Sequence, residues 1–242
     1  MAILLLVRHG RTTANDSGVL AGRSAGVRLD EVGSDQADAI GRRLASLPLT
    51  RLVSSPLVRC RQTLAAIAAH QPASPGPPEP VTDAGITECG YGDWTGQPLK
   101  RLARDPLWKT VQNQPSAVTF PGGESMQQMQ ARAVSAVRRH DADVEQEHGP
   151  DALWLAVSHG DVIKSVLADA LGLHLDLFQR IVVEPGSVSV VRYTPGRPFV
   201  QHLNDRGSDL ASLRPPRRRR RRPRGDAPVG GGAGAGTGED TL

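Results

Sequence analysis

The sequence predicts an α/β fold, a three-layer sandwich with a mainly parallel central sheet and helices on both faces. Short apolar runs that fit buried strands alternate with longer segments of helical spacing, the pattern of strand–crossover–strand units. Two of those runs, Ile3–Leu6 and Ala152–Ala156, lead straight into the related motifs Val7-Arg8-His9-Gly10 and Val157-Ser158-His159-Gly160. Each His-Gly therefore stands at a strand end, and in open α/β sheets the carboxyl ends of strands are where ligands bind. The glycine after each histidine lets the backbone turn sharply and a ligand come close. Two imidazoles delivered in this way to one crevice suggest a two-histidine active site.

The elements follow in order. Ile3–Val7 is the first strand. Gly33–Leu47 carries Ala37, Ile40, Leu44 and Leu47 at helical spacing, with Ser34 as its expected N-cap. Arg51–Ser54 gives a second strand and Pro56–His70 a second helix through Leu64, Ile67 and Ala68. The proline-rich stretch Gln71–Pro80 is a loop, because no helix crosses such a run. Val81–Thr82 reads as a short strand leading to a glycine-rich loop. Pro98–Gln114 is mixed, a short helix ended by Pro106 and then irregular chain. Pro121-Gly122-Gly123-Glu124-Ser125 turns into a long helix reaching about Glu147. Leu153–Val157 is a strand, Val162–Leu171 a helix stopped by Gly172, and Val188–Tyr193 with Phe199–Leu203 a terminal hairpin around Pro195-Gly196.

A chain of 242 residues with 38% apolar content allows one sizeable core. The expected domain is 1–204, followed by a disordered arginine- and glycine-rich tail, 205–242. From Asp205 the apolar pattern is lost; Arg217–Arg222 is unbroken arginine and Gly230–Gly238 is rich in glycine and alanine. Residues Arg214–Leu242 carry a net charge of +5 within a total of +4, which leaves the remainder at −1. The basic balance is thus a property of the tail. That tail is suited to weak, non-specific polyanion binding, and says nothing of a nucleic-acid surface on the domain. No apolar run approaches the roughly 20 residues that span a bilayer, and Ala2–Val7 is short for a signal peptide. A cytoplasmic setting is expected, and a homodimer is compatible with the sequence. Cys60 and Cys89 match no zinc spacing and form no disulfide scaffold.

The chemistry-bearing motifs are four. Arg8-His9-Gly10-Arg11-Thr12-Thr13-Ala14-Asn15 gathers a cation, an imidazole, hydroxyls and an amide within eight residues of a strand end. Ser54-Ser55-Pro56-Leu57-Val58-Arg59-Cys60-Arg61-Gln62-Thr63 follows the next strand and puts Arg59 in the first turn of a helix, near free backbone N–H groups. Glu88 opens the glycine-rich loop containing Gly92-Asp93-Trp94 and Gly96. Ser158-His159-Gly160 closes the series. In this order the motifs resemble the histidine phosphatase superfamily, the phosphoglycerate-mutase-like branch with the Arg-His-Gly motif, over roughly residues 2–204. Arg11 departs from that pattern, since many members carry an acidic or amide residue there.

The resemblance implies phosphoryl transfer on a small phosphorylated substrate, with no cofactor and no metal. Arg8 and Arg59 would hold phosphate oxygens with permanently charged donors. Neutral His9 would attack phosphorus through one ring nitrogen, its other nitrogen pinned by a backbone carbonyl. His159, cationic beside the phosphate, and Asn15 and Gly160 would add donors to the transferring oxygens. Glu88 would protonate the leaving alkoxide and then deprotonate the attacking water. Trp94 reads as an anchor for the Glu88 loop. A metal centre is disfavoured because no carboxylate–histidine cluster or HExxH motif accompanies the two histidines. The expected activity is phosphomonoester hydrolysis through phosphohistidine; a phosphomutase would use the same residues. A non-catalytic phosphate- or polyanion-binding protein would need neither nucleophile nor acid. Lys100, Arg101 and Arg104 lie on a segment expected to roof the site, which would suit a second acidic group on the substrate.

Overall fold

Strand β1 (Ile3–Arg8) occupies the middle of the sheet and is buried from Leu4 to Arg8. The computed structural model describes residues 2–73 and 76–207. The expected tail, with Arg217–Arg222, therefore lies outside the described residues, apart from its first three positions. After β1 come helix α1 (Thr13–Asp16), helix α2 (Glu31–Leu44), strand β2 (Leu49–Ser54), helix α3 (Val58–Ala69) and the short strand β3 (Val81–Thr82). Helices α4 (Leu99–Leu102), α5 (Pro106–Asn113) and α6 (Met126–His148) precede strand β4 (Leu153–Ser158) and helix α7 (Gly160–Ala170). Strands β5 (Val188–Arg192) and β6 (Phe199–Asp205) form the terminal hairpin.

The sheet order is β3-β2-β4-β1-β5-β6. The first four strands are parallel, and β5 pairs antiparallel with both β1 and β6. Strand side chains alternate between two cores, as period two requires. Leu4, Leu6, Trp154 and Ala156 face Val137 and Val144 of α6 and Ile163 and Leu167 of α7. Leu5, Val7, Leu155 and Val157 face Ile40 and Leu44 of α2 and Leu64 and Ile67 of α3. These strands are buried on both faces, hence their continuous apolar runs. The three-layer sandwich is as expected.

The same topology positions the site. β1 and β4 are neighbours in register, with Arg8 opposite Ser158. The chain leaving β1 crosses to α2 on one face, whereas the chain leaving β4 enters α7 on the other. Such divergence opens a crevice at the shared carboxyl end of the two strands. The His9 N–H donates to the Ser158 carbonyl at 3.1 Å, and the Ser55 N–H to Val157 at 3.0 Å, so three strand ends are tied together there.

Several boundaries differ from expectation. Helix α2 starts two residues before Gly33, because Asp30, not Ser34, is the N-cap: its carboxylate accepts from the Gly33 N–H at 2.7 Å. Ser34 lies inside the helix and bonds to the Asp30 carbonyl. The helix stops at Leu44, and Leu47 packs from the following turn. Pro106 begins a helix rather than ending one. It sits in the first turn of α5, where its missing N–H costs nothing, and Asp105 caps it through the Leu107 N–H.

Gly33 fixes how closely the turn after β1 meets α2. A β-carbon there would collide with the Arg11 backbone, and one on Gly10 would collide with the backbone of Gly33. Gly33→Ala is therefore expected to destabilise the fold by about 1–3 kcal/mol, as overpacking of rigid backbone does, read as a lower urea midpoint. An unchanged midpoint would show that the turn yields freely.

Candidate active site

His9 is held in one tautomer. Its Nδ1 lies 2.7 Å from the carbonyl of Gly10, which only accepts, so Nδ1 carries the proton. The lone pair is left on Nε2, to which Arg59 Nε donates at 3.2 Å. Burial, with Arg59 and Arg8 nearby, holds the imidazole pKa well below its ordinary value, so the ring is neutral. Gly10, pinned through its N–H to the Thr63 hydroxyl at 3.1 Å, keeps that carbonyl in place.

Arg59 is the hub. It is buried, and from the first turn of α3 it reaches both histidines: Nη2 also lies 3.2 Å from His159 Nδ1 and donates to the Gly22 carbonyl at 2.8 Å. Arg59 Nη1 is buried with no hydrogen-bond partner among the described residues. An orphaned cationic donor in such a place fits an anion that supplies the missing acceptor.

His159 caps α7 and is wholly buried. Since Nδ1 accepts from Arg59, Nε2 carries the proton and donates to Ser55 Oγ at 2.8 Å. Burial, then Arg59 and His9, press its pKa well below normal. The ring is thus neutral here, whereas the expected cationic form concerns His159 beside a bound phosphate, whose charge would favour protonation. The two imidazole rings stand edge to face with centroids 5.2 Å apart. Gly160 forms the buried first residue of α7, so the helix points its positive end into this cluster.

Glu88 completes it. Glu88 Oε2 is 3.7 Å from His159 Nδ1, and Oε1 accepts from the Cys89 N–H at 3.0 Å. Burial and the negative charge of Asp161 raise its pKa to about 7, against the pull of Arg59. Its backbone carbonyl is clasped by Arg23 and Arg132, which are both paired with Glu124. Trp94 anchors this loop as expected, stacked on Trp108 and edge-on to Phe120.

A cavity of about 30 Å³ opens onto His9, Arg59, Glu88, Thr12 and Asn15. Arg8, His159 and Gly160 lie behind its wall. Arg8 is fully buried, donates to the Val183 carbonyl at 2.7 Å, and has its pKa lowered to about 10 by burial. Its charge lowers the pKa of His9. Asn15 lines the cavity, but its carbonyl oxygen is committed to the Thr12 N–H and hydroxyl in a capping box. Arg101 and Arg104 do not roof this cavity. They line a separate one with Asp93 and Asp105, and Lys100 lines neither, so the expectation of a basic roof fails. Among the described residues no group of three or more His, Cys, Asp or Glu could hold a metal ion, and no helix is long and apolar enough to cross a membrane.

Sequence reasoning assigned no role to Ser55, Thr63 or Asp161. Ser55 orients His159, Thr63 holds Gly10, and Asp161 accepts from Tyr91 Oη at 2.7 Å while raising Glu88. Ser55 and Thr63 lie within the Ser54–Thr63 motif. Asp161 follows His159-Gly160 directly, and a carboxylate in the first turn of an otherwise apolar helix is the available signal.

Glu88 makes stability depend on pH. It keeps its proton to about pH 7 in the fold but loses it near 4.5 when unfolded, so its contribution falls as pH rises through that window. Glu88→Gln removes the penalty. The variant should be more stable than the parent at pH 8, on the order of 2–3 kcal/mol, and nearly equal at pH 4. A variant less stable at pH 8 would mean that the carboxylate is satisfied when charged.

The chain matches the family model for the histidine phosphatase superfamily (branch 1) over residues 4–206. A segment of 130 residues is 38% identical to the fructose-2,6-bisphosphatase TIGAR of Xenopus tropicalis, covering 54% of this chain and 46% of that protein. The chain thus spans about half the length of that relative. The "Probable phosphoglycerate mutase GpmB" of Yersinia pestis is 30% identical over 195 residues, 80% of this chain and 86% of its own. Bacillus stearothermophilus YhfR superposes with a TM-score of 0.73 at 25% identity, covering 83% of this chain and 96% of that one. The chain belongs to the histidine phosphatase superfamily, branch 1.

Proposed function

We propose that this protein hydrolyses phosphate monoesters through a phosphohistidine on His9. The observation that carries the reading is the pinned tautomer, which directs the Nε2 lone pair of a neutral imidazole toward Arg59, beside a cavity that Glu88 also lines. In the proposed reaction Arg59 turns its donors from the two imidazoles to phosphate oxygens, aided by the unpartnered Nη1. Arg8 and the first turn of α7 add positive potential from behind, and His159 joins them once the anion favours its protonation. His9 Nε2 forms the bond to phosphorus as the ester oxygen leaves in line, and Glu88, protonated near neutrality, gives that oxygen its proton. Glu88, now charged, takes a proton from the water that attacks phosphohistidine. Phosphate departs, and His9 and Glu88 regain their starting states.

A non-catalytic phosphate-binding role accounts for the arginines but not for a pinned nucleophile beside a protonated carboxyl. The mutase reading draws on the relative named as a phosphoglycerate mutase and differs only in which acceptor takes the phosphoryl group. The catalytic unit is proposed to be residues 1–204, with the arginine run available for weak polyanion binding.

His9→Ala is expected to abolish turnover of 4-nitrophenyl phosphate, a loss on the order of 10⁶-fold. Quenched reactions of the parent with labelled substrate should yield an acid-labile phosphoramidate that the variant lacks. Substantial activity in His9→Ala would overturn the mechanism. Chase of the labelled enzyme into 3-phosphoglycerate faster than into water would make it a mutase.

A further inference from the structure

Tyr91 stands where three parts of the site meet, and no step of the proposed reaction uses it. It is wholly buried, three residues after Glu88 on the same loop. Its hydroxyl donates to Asp161 Oδ2 at 2.7 Å, and Asp161 lies in the first turn of α7, two residues after His159. Its ring meets Phe120 edge to face, with centroids 5.0 Å apart. The ring also closes on Gly22, where a β-carbon would come within 3.1 Å of Tyr91 Cδ2. Gly22 in turn offers its carbonyl to Arg59 Nη2 at 2.8 Å. One side chain therefore joins the Glu88 loop, the helix that His159 caps and the turn that holds Arg59.

A hydroxyl and a carboxylate buried together cost free energy unless they satisfy each other. A phenylalanine would fill the same space beside Phe120 and Gly22, so what the tyrosine adds is the bond to Asp161. That bond is charge-assisted and directional, whereas the apolar contacts around it are not. It fixes the Glu88 loop against the start of α7. We propose that Tyr91 and Asp161 are positioning residues for the reaction described above, their hydrogen bond holding the Glu88 carboxyl at the cavity that His9 and Arg59 also line. The inference rests on the hydrolase reading and extends it to two residues that touch no reacting atom.

Asp161 brings a charge as well as a tether. Glu88 is faced by Arg8 of β1, Arg59 of α3, and His159 and Asp161 at the start of α7. Arg132 of α6 and Arg23 reach its backbone carbonyl, and both pair with Glu124. Asp161 is itself faced by Tyr91, by Arg8, and by Lys164 on its own helix at 4.0 Å. Its negative charge, with burial, opposes ionisation of Glu88, while Arg59 and Arg8 favour it. The group that anchors the loop also keeps the acid supplied with its proton.

The test compares the full chain with Tyr91→Phe and Asp161→Asn between pH 5 and 9. Glycerol 2-phosphate is one substrate, since its alkoxide needs a proton, and 4-nitrophenyl phosphate the other, since its leaving group does not. Tyr91→Phe keeps the ring and loses the tether. It should lower kcat for glycerol 2-phosphate by about tenfold, with KM nearly unchanged, and lower kcat for the nitrophenyl ester much less. Asp161→Asn keeps an acceptor for the Tyr91 hydroxyl and loses the charge. Its fall in kcat on glycerol 2-phosphate at rising pH should begin about one pH unit lower than the parent's. Carbon NMR of labelled glutamate, with Glu88 assigned through Glu88→Gln, should show the same downward shift without turnover. A folded Tyr91→Phe that keeps the parent kcat on both esters, or loses both equally, overturns the positioning role. So does an unmoved Glu88 titration in a folded Asp161→Asn; if that variant does not fold, Tyr91→Phe decides alone. Either result leaves the hydrolase reading intact, whereas a parent without turnover or labelled histidine overturns both.

Discussion

The parallel pairing of β1 with β4, with Arg8 opposite Ser158, is the constraint on which the remaining geometry depends. Equal register brings the next residue of each strand, His9 and His159, to the same level at the sheet's edge. Opposite crossovers then leave a crevice between them. A shift of one residue would turn Leu4, Leu5, Leu6 and Val7 to the wrong cores and separate the two rings together. The two apolar clusters therefore act at a distance on the chemistry: by fixing which strand face points to α2 and α3 and which to α6 and α7, they fix the spacing of two imidazoles.

Electrostatics finishes what topology begins. Two guanidinium groups, Arg8 and Arg59, are buried in one cluster with two neutral imidazoles and a carboxyl that stays protonated up to about pH 7. Arg59 Nη1, buried without a hydrogen-bond partner among the described residues, fits an anion that supplies the acceptor. Asp161 answers part of the charge and raises Glu88 as it does so. The same burial that weakens the fold above neutrality thus keeps the carboxyl in the form that donates a proton. Stability and proposed activity pull Glu88 in opposite directions.

The layers, the strand ends and the four motifs were legible because periodicity and motif order report them directly. Helix boundaries were less so. Asp30 and Ser34 are both good caps, and the choice between them was made by close contact of Gly33 with the Arg11 backbone, which no local pattern displays. Proline both ends helices and suits their first turn, and at Pro106 the preceding Asp105, which caps α5, is the deciding signal. At the site, residue types were visible but their company was not. That Arg59 reaches both rings, that Arg101 and Arg104 turn to another cavity, and that Leu99 faces this one are consequences of long-range packing.

The central claim is that the fold presents His9 as a neutral imidazole with its proton on Nδ1 and a lone pair on Nε2. Nitrogen NMR of the protein labelled at histidine ring positions reads both the tautomer and the charge of this ring. With His9 assigned by substitution, the spectrum at pH 6 should show a protonated Nδ1 and an unprotonated Nε2, without the averaging that marks an ordinary histidine titrating there. A His9 protonated on Nε2, or an imidazolium at that pH, would contradict the account.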